Sequence, residues 1–266
     1  MSTCQNRNSR PVPKNRRRWF QFGLRTGLVI VTAIAIALAW HTANVNRQRA
    51  AIARVTDLGG HVTYDYQRKP LGVGTSFYAE VQDAQVSALA SWLGTDHVHN
   101  LVAVDFMRVK KTAMTVNDLQ LIAQVRSVEC VQFPQVASAD PFHHPKTTVT
   151  DEMFQALRPL PRLRELNLHS TTLDDRQLIQ FVVCHRNLWL LQLANTAISD
   201  VGVERLGALT ELEWMDLSAT HVTDAGLDQL HSLKKMRWLV LISTDVTPEG
   251  VGRLRTALPS ATIVYP

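Results

Sequence analysis

Cysteine is scarce in this chain, with three in 266 residues. That count excludes a disulfide-stapled scaffold, which needs several paired cysteines in a short sequence. Cys4 lies in an N-terminal tail. Cys130 falls at a strand position and Cys184 near a helix end two coils later, a separation that stacked coils would keep beyond the ~7 Å reach of a disulfide. Also missing are a Gly-rich phosphate loop, an HExxH pair and a GxSxG elbow, which removes the sequence grounds for a nucleotide-binding, zincin or serine-hydrolase reading. His97-Val98-His99 and His143-His144 lack acidic or cysteine partners at zinc-site spacing. The expectation is no enzyme, no cofactor and no metal.

Acidic residues are absent from residues 1–25, where Arg7, Arg10, Lys14, Arg16, Arg17, Arg18 and Arg25 sum to +7. The whole chain is formally +5, which leaves −2 for the remainder. The basic pI therefore belongs to the tail. Its position beside an apolar segment points to a topology signal rather than to nucleic-acid binding. Charge then disappears altogether between Arg25 and Arg47, a window of 21 residues. As a helix it spans about 31 Å, the thickness of a hydrocarbon core of about 30 Å. Trp19, Phe20 and Trp40 flank it as interfacial aromatics, and the preceding cations place the N-terminus in the cytoplasm. Residues 26–43 read as a retained single-pass signal-anchor. Two alternatives stay open: a cleaved signal peptide, for which Ala37-Leu38-Ala39 is a processing site, and a buried soluble helix. Export of the remaining chain follows from either of the first two.

Beyond the anchor, residues 44–60 read as a helical stalk ending at Gly59-Gly60. Residues 61–66 (HVTYDY) alternate as a strand does, Gly72-Val73-Gly74 marks a loop, and Asp83 is placed to cap a helix through Val86, Leu89 and Leu93. Residues 61–100 read as an N-terminal cap, and Leu101–Phe106 as the first strand of a repeat array covering 101–266.

The array declares itself by internal repetition. Leu209, Leu212, Met215, Leu217, Thr220, Val222, Thr223-Asp224, Gly226-Leu227 and Leu230 recur 24 residues later as Leu233, Met236, Leu239, Leu241, Thr244, Val246, Thr247-Pro248, Gly250-Val251 and Leu254. Earlier copies start at Leu163 and Leu188, with a partial one at Thr147-Thr148-Val149-Thr150-Asp151. Period-2 alternation around Met215 marks a short strand. The 3–4-residue spacing of Leu227 and Leu230 marks a returning helix. Thr223 and Thr247 are natural N-caps, Pro248 is suited to the first helical turn, and Asp174 with Gln177 has capping-box spacing. The Thr171, Thr196, Thr220 and Thr244 series is expected to bond loop backbone of the next coil. Residues 134–146 form an insertion after the copy Val125, Val128, Val131 and Phe133. Insertions in such arrays map to loops, often on a functional face.

The LxxLxxLxL core joined to TxVTDxGL resembles leucine-rich repeats of the TDxGL class, related to ribonuclease-inhibitor-like repeats. The chain as a whole resembles bacterial membrane-anchored leucine-rich repeat proteins, including their terminal element at Leu258-Pro259-Ser260-Ala261-Thr262-Ile263. It departs from them at the 134–146 insertion and in the irregular coil 176–186. The resemblance implies an α/β solenoid, with a parallel sheet on the concave face and short helices on the convex face, used for protein interaction. It supplies no ligand and no catalytic residue.

Outward strand positions can be read from the register. They are Glu165, Leu190, Trp214 and Trp238; then Asn167, Gln192, Asp216 and Val240; then His169, Ala194, Ser218 and Ile242. The face turns from polar to apolar along the array. A contiguous apolar patch marks an interaction surface; burial under residues 260–266, or simple packing of the end coil, is the competing account. The expected binding surface is Leu190, Gln192, Trp214, Asp216, Trp238, Val240 and Ile242, taking an unidentified protein or peptide. The alternatives are a self-associating envelope protein and, third, an enzyme or accessory subunit. Oligomeric state stays open.

Overall fold

The structure is a computed structural model that describes residues 24–69, 79–80, 95–106, 114–134 and 146–265. The basic tail, the 72–74 loop, the expected helix after Asp83 and nearly all of the insertion lie outside the described residues. The chain divides into two units, Met1–Thr42 and Ala43–Pro266.

In the first unit the described residues are all helical, as the start of α1 (Leu24–Asp57). The apolar side chains there face outward all round the helix: Leu28, Val29, Val31, Ile36, Leu38 and Trp40 are each more than 60% exposed. Among the described residues one helix, Thr26–Asp57, is long and apolar enough for a membrane span or a signal sequence.

The second unit is built on an eight-stranded sheet of order β1-β4-β5-β6-β7-β8-β9-β10. β1 (His61–Tyr64) runs antiparallel to β4 (Leu101–Asp105), and every later neighbour is parallel. The later strands are β5 (Cys130–Gln132), β6 (Glu165–Asn167), β7 (Leu190–Gln192), β8 (Trp214–Asp216), β9 (Trp238–Val240) and β10 (Thr262–Val264). A separate two-stranded pair joins β2 (Arg68–Lys69) to β3 (Ala79–Glu80), and α2 is the single turn Thr95–Val98. Helices return between the parallel strands: α3 (Val116–Ala123), α4 (Asp151–Leu157), α5 (Asp175–Val182), α6 (Asp200–Leu206), α7 (Asp224–Gln229) and α8 (Pro248–Ala257). The fold is a leucine-rich repeat solenoid.

Each coil is too thin to bury its own apolar side, so the coils stack and share one core. Val131, Leu166, Leu191, Met215 and Leu239 occupy the middle strand position in register and are fully buried. Leu173, Ile198 and Val222, with Leu178, Val203 and Leu227 from the helices, close the core from the other side. The irregular coil keeps this register: Glu165 pairs with Leu190 and Leu166 with Leu191.

The second half of α1 is not a free stalk. Val45, Gln48, Ala51 and Val55 recur every three to four residues and are buried, and Ala51 and Val55 belong to the same core cluster as Leu101. Gln48 bonds the His99 carbonyl and accepts from the Leu101 amide, at 2.9 and 3.2 Å. Arg54 Nε donates to Asp118 at 2.6 Å. Burial raises the Asp118 pKa, but bonds from Arg54 and Thr115 outweigh it and hold the carboxyl below its usual value. The turn just past α1 passes through Gly59, whose φ of 81° suits glycine. This helix therefore covers the first coil, where an end repeat would otherwise expose apolar core.

A second device joins the coils on the helix side. Thr223 donates from its amide and its hydroxyl to Asp200 of the preceding coil, at 2.8 and 2.6 Å. Thr247 does the same to Asp224, at 2.8 and 2.7 Å, and Ser199 to Asp175. Each of these residues is also the N-cap of its own helix. Bonds from the Thr247 amide and hydroxyl hold the Asp224 carboxyl below its usual pKa. This ladder explains the glycine of the TDxGL unit. A Cβ on Gly202, Gly226 or Gly250 would overlap the carboxylate of Asp175, Asp200 or Asp224. Where the first rung differs, Gln177 stands at the glycine position and its Nε2 donates to Asp151 at 2.9 Å. Gln177 also completes the capping box with Asp174.

The threonine series corrects one expectation. Thr171, Thr196, Thr220 and Thr244 donate to the carbonyls of Leu168, Leu193, Leu217 and Leu241, each three residues back in the same coil. The chain turns sharply just before each threonine, at Ser170, Asn195, Ala219 and Ser243, all with φ between 51° and 59°. That turn folds the hydroxyl back on its own strand rather than toward the next coil.

Candidate functional site

Parallel pairing sets the concave face. Trp214 pairs with Trp238, and Asp216 with Val240, on adjacent strands, which are ~4.8 Å apart. Both tryptophans are half-buried, as are Gln192, Asp216, Ser218 and Val240, while Ile242 is 47% exposed. Ile263 of β10 is buried and Thr262 beside Trp238 is exposed. The last strand thus extends the sheet and leaves the two tryptophans half-exposed.

Leu190 departs from the expected surface. It shares the outward position but is only 2% exposed, as is Glu165 next to it in register, and Ala194 is 3% exposed. Leu190 forms part of the floor beside the platform. The face therefore has a closed half over β5–β7 and an open half over β8–β10.

Polar side chains fix the shape of this surface. Asn167 Oδ1 accepts from the His169 amide and Asp216 Oδ1 from the Ser218 amide, both at 2.9 Å. Each side chain closes a local turn after its strand. Among the described residues, four buried polar atoms on the face have no hydrogen-bond partner: Gln132 Oε1, Asn167 Nδ2, Gln192 Oε1 and Trp214 Nε1. Gln132, Asn167 and Gln192 are register neighbours on β5, β6 and β7. Buried polar atoms are nearly always paired, so such a row singles out this region. The sequence carried a signal for Gln132, because the Val125–Phe133 copy aligns it with Asn167.

The two outward strand positions of the face hold Asp105, Glu165 and Asp216 and no Lys or Arg between β4 and β10.

The described residues include no cluster of three or more His, Cys, Asp or Glu residues placed to hold a metal ion. His185 is buried, stacked on Phe181 with ring centroids 4.1 Å apart, and its Nδ1 lies 3.1 Å from the Phe181 carbonyl. Burial pushes its pKa down, and the Phe181 and Leu157 carbonyls oppose this only in part. It sits on the helix side, as part of the core and away from the tryptophans. An open groove of about 1030 Å³ lies on that side too, lined by Arg47, Gln120, Gln124, Arg126, Glu152 and Gln155 among others.

A comparison with protein families finds no match, and no curated protein matches either. Solved structures of leucine-rich repeat proteins do share the repeat. A Leptospira interrogans leucine-rich repeat protein is 22% identical, with 54% of this chain and 33% of that one covered and a TM-score of 0.36. Internalin C2 of Listeria monocytogenes is 17% identical, covering 57% of this chain and 85% of that one, TM-score 0.36. The Arabidopsis receptor kinase HAESA, solved with the peptide hormone IDA and the co-receptor SERK1, is 14% identical, covering 62% and 26%, TM-score 0.42. The chain spans a third of the Leptospira protein's length. The solenoid assignment stands on the strand order and register of this chain itself.

Proposed function

We propose that this chain is a membrane-tethered scaffold that binds another protein or a peptide on its concave face, with no chemistry of its own. The tether is residues 26–43, with the N-terminus in the cytoplasm and the repeats outside it. The outward-facing apolar side chains of α1 support it, since a helix apolar all round is at home in lipid. The observation that carries the binding reading is the pair Trp214 and Trp238. They are register neighbours, half-exposed, and continuous with Val240 and exposed Ile242. Tryptophan is enriched among residues that dominate interface energy, because it buries a large area at little entropic cost. Gln192 and Asp216 border the patch and orient what lies on it, while Leu190 supports it from below.

The test is photocrosslinking in intact cells from a photoreactive residue at position 242. We expect a discrete adduct with another protein that disappears when Trp214→Ser and Trp238→Ser are combined, with the melting temperature nearly unchanged. A double variant that stays folded and keeps its adduct would refute the platform. An adduct consisting only of a second copy would favour a self-associating envelope protein. For the tether, protease added outside spheroplasts should digest the repeats and spare the tail.

A further inference from the structure

We propose that one edge of the solenoid docks on anionic phospholipid headgroups. Arg126, Arg158, Arg162, Arg164 and Arg186, in the loops that lead from α3, α4 and α5 into the strands, meet the phosphates of the bilayer that holds residues 26–43. This rests on the tether reading and is independent of the concave face.

The first support is uncompensated charge. The loops 124–129, 158–164 and 183–189 carry these five arginines against one acid, Glu129. All five are exposed, and none takes part in an ion pair among the described residues. Farther along the same edge the charges cancel. Glu211 pairs with Lys235 and Glu213 with Arg237 on the next coil, and Lys234 donates to the Ala257 carbonyl. A cation beside a helix C-terminus is favoured by the helix dipole, but the dipole does not account for this strip. In the repeat register Glu211 and Glu213 stand where Arg162 and Arg164 stand, and their coil stacks just as well.

The second support is where the chain enters. Arg54 of α1 bonds Asp118 in the first turn of α3. Arg47, earlier in α1, lines the groove of about 1030 Å³ together with Gln124, Arg126, Pro159 and Pro161. This part of α1 therefore runs antiparallel to α3, and the chain enters the second unit at the arginine edge. The helix continues from Ala43 to Arg47, a rise of about 6 Å. By chain length alone the edge is within reach of the headgroups when residues 26–43 are in lipid. Arg47 is itself exposed and adds another guanidinium.

The third support is residue type. A guanidinium is weakly hydrated and makes paired hydrogen bonds to phosphate, whereas a lysine is a point charge; every cation in these three loops is arginine. The strands they lead into, β5, β6 and β7, are consecutive neighbours. Two strand steps make the strip at least ~10 Å wide, too wide for one phosphate and suited to a surface of them.

The experiment uses the full chain carrying Cys4→Ser, reconstituted into vesicles of phosphatidylcholine alone or mixed with phosphatidylglycerol. Both contain some lipid with a nitroxide on its headgroup. Cys184 is exposed and Cys130 buried, so a fluorophore attaches at Cys184, beside Arg186. We expect the label to be quenched on the phosphatidylglycerol vesicles and released in about 1 M salt, where the Debye length falls to about 3 Å. Each basic side chain at an anionic surface is worth roughly fivefold in the docked-to-free ratio. Arg158→Gln, Arg162→Gln and Arg186→Gln together should lower that ratio roughly a hundredfold and abolish the quenching, with the melting temperature nearly unchanged. A label at Val201→Cys in a Cys184→Ser background, in the first turn of α6 at the other end of its coil and 60% exposed, should stay bright. Quenching at Cys184 that is equal on both lipids, or that persists in the triple variant, overturns headgroup docking; so does equal quenching at both labels. Release of the chain by alkaline carbonate overturns the tether, and this proposal with it, whereas retention with an unquenched Cys184 overturns the docking alone. Binding of inorganic polyphosphate that the triple variant loses, with no quenching on anionic vesicles, assigns the edge to a soluble polyanion and overturns the lipid reading.

Discussion

Gly226→Ala tests the account of the coil-joining ladder. Gly226 sits in the first turn of α7, where a Cβ would overlap the Asp200 carboxylate. That carboxylate accepts from the Thr223 amide and hydroxyl at 2.8 and 2.6 Å. It is the far end of a short side chain, so it yields by rotating away and both bonds are lost. Two bonds to a charged group are worth about 1.5 kcal/mol each at the low end of their range, a suitable figure for a half-exposed site. Alanine returns up to about 1 kcal/mol through helix propensity. The net is a loss of about 2 kcal/mol, or roughly 4–8 °C in melting temperature for a domain of this size. Gly252 in α8 is the control: it is exposed and a Cβ there meets nothing within 4 Å. Gly252→Ala should stabilise by as much as about 1 kcal/mol. The decisive variant combines Gly226→Ala with Asp200→Ala. Once the carboxylate is gone, adding the methyl should cost nothing, so the double variant should melt no lower than Asp200→Ala alone. If Gly226→Ala melts like the unaltered chain, or if its cost persists in the Asp200→Ala background, the glycine is there for another reason and the ladder argument fails.

Leu217 is fully buried, and Leu217→Ala should cost roughly 2–5 kcal/mol, while Thr223→Ala loses both the helix cap, about 1 kcal/mol, and the hydroxyl bond to Asp200, about 1.5 kcal/mol; a Leu217→Ala loss below about 1 kcal/mol in thermal melts would contradict the register. Ala219 holds φ at 51°, so Ala219→Gly should stabilise by about 0.5 kcal/mol, the left-handed penalty exceeding the glycine entropy cost; a loss in denaturant midpoint would refute it. His185 is held below its usual pKa by burial. The native state then binds fewer protons than the unfolded chain, and the stability conferred by neutral His185 is present above the ordinary pKa of about 6.5 and is lost as pH falls below it. His185→Phe should therefore shrink the difference between melts at pH 7.5 and pH 5.5, and an undiminished difference would place the acid sensitivity elsewhere.

Periodic features were legible in the sequence, and features set by distance between coils were not. The middle strand leucines, the N-caps Thr223 and Thr247 and the Asp174–Gln177 box follow from spacing along a single coil, and the structure has them. The partner of each threonine hydroxyl was misread, because spacing gives the residue type at the bend but not the left-handed turn that folds it back. Strand alternation placed Leu190 on the concave side correctly. Its burial was illegible, since alternation says which side a residue faces and not what surrounds it there. The packing of residues 45–55 did leave a trace, in Val45, Gln48, Ile52 and Val55 at helical spacing. Gln48 disguised it, because its place in the core is made possible by bonds to His99 and Leu101, more than 50 residues away in the chain. The TDxGL glycine was visible as a motif, and its cause, an aspartate one coil back, is a contact of the stacked array.

These same devices leave the concave face free to differ from coil to coil. The inward leucines fill the core, the threonines close the turns, and the Asp-to-Thr rungs with their glycines tie one coil to the next. From the coil of β7 to that of β9 those positions barely change. The first outward strand position, in contrast, runs Cys130, Glu165, Leu190, Trp214, Trp238. Nothing in the stacking calls for tryptophan there: the neighbouring Met215 and Leu239 already bury the strand. A small or polar residue at 214 or 238 would leave the core, the turns and the rungs intact. Leaving two large rings half in water has no structural return, and placing them on adjacent strands, beside an exposed isoleucine, concentrates apolar surface where a monomeric solenoid needs none. The part of the chain on which stability makes the least demand is the part that most resembles an interface.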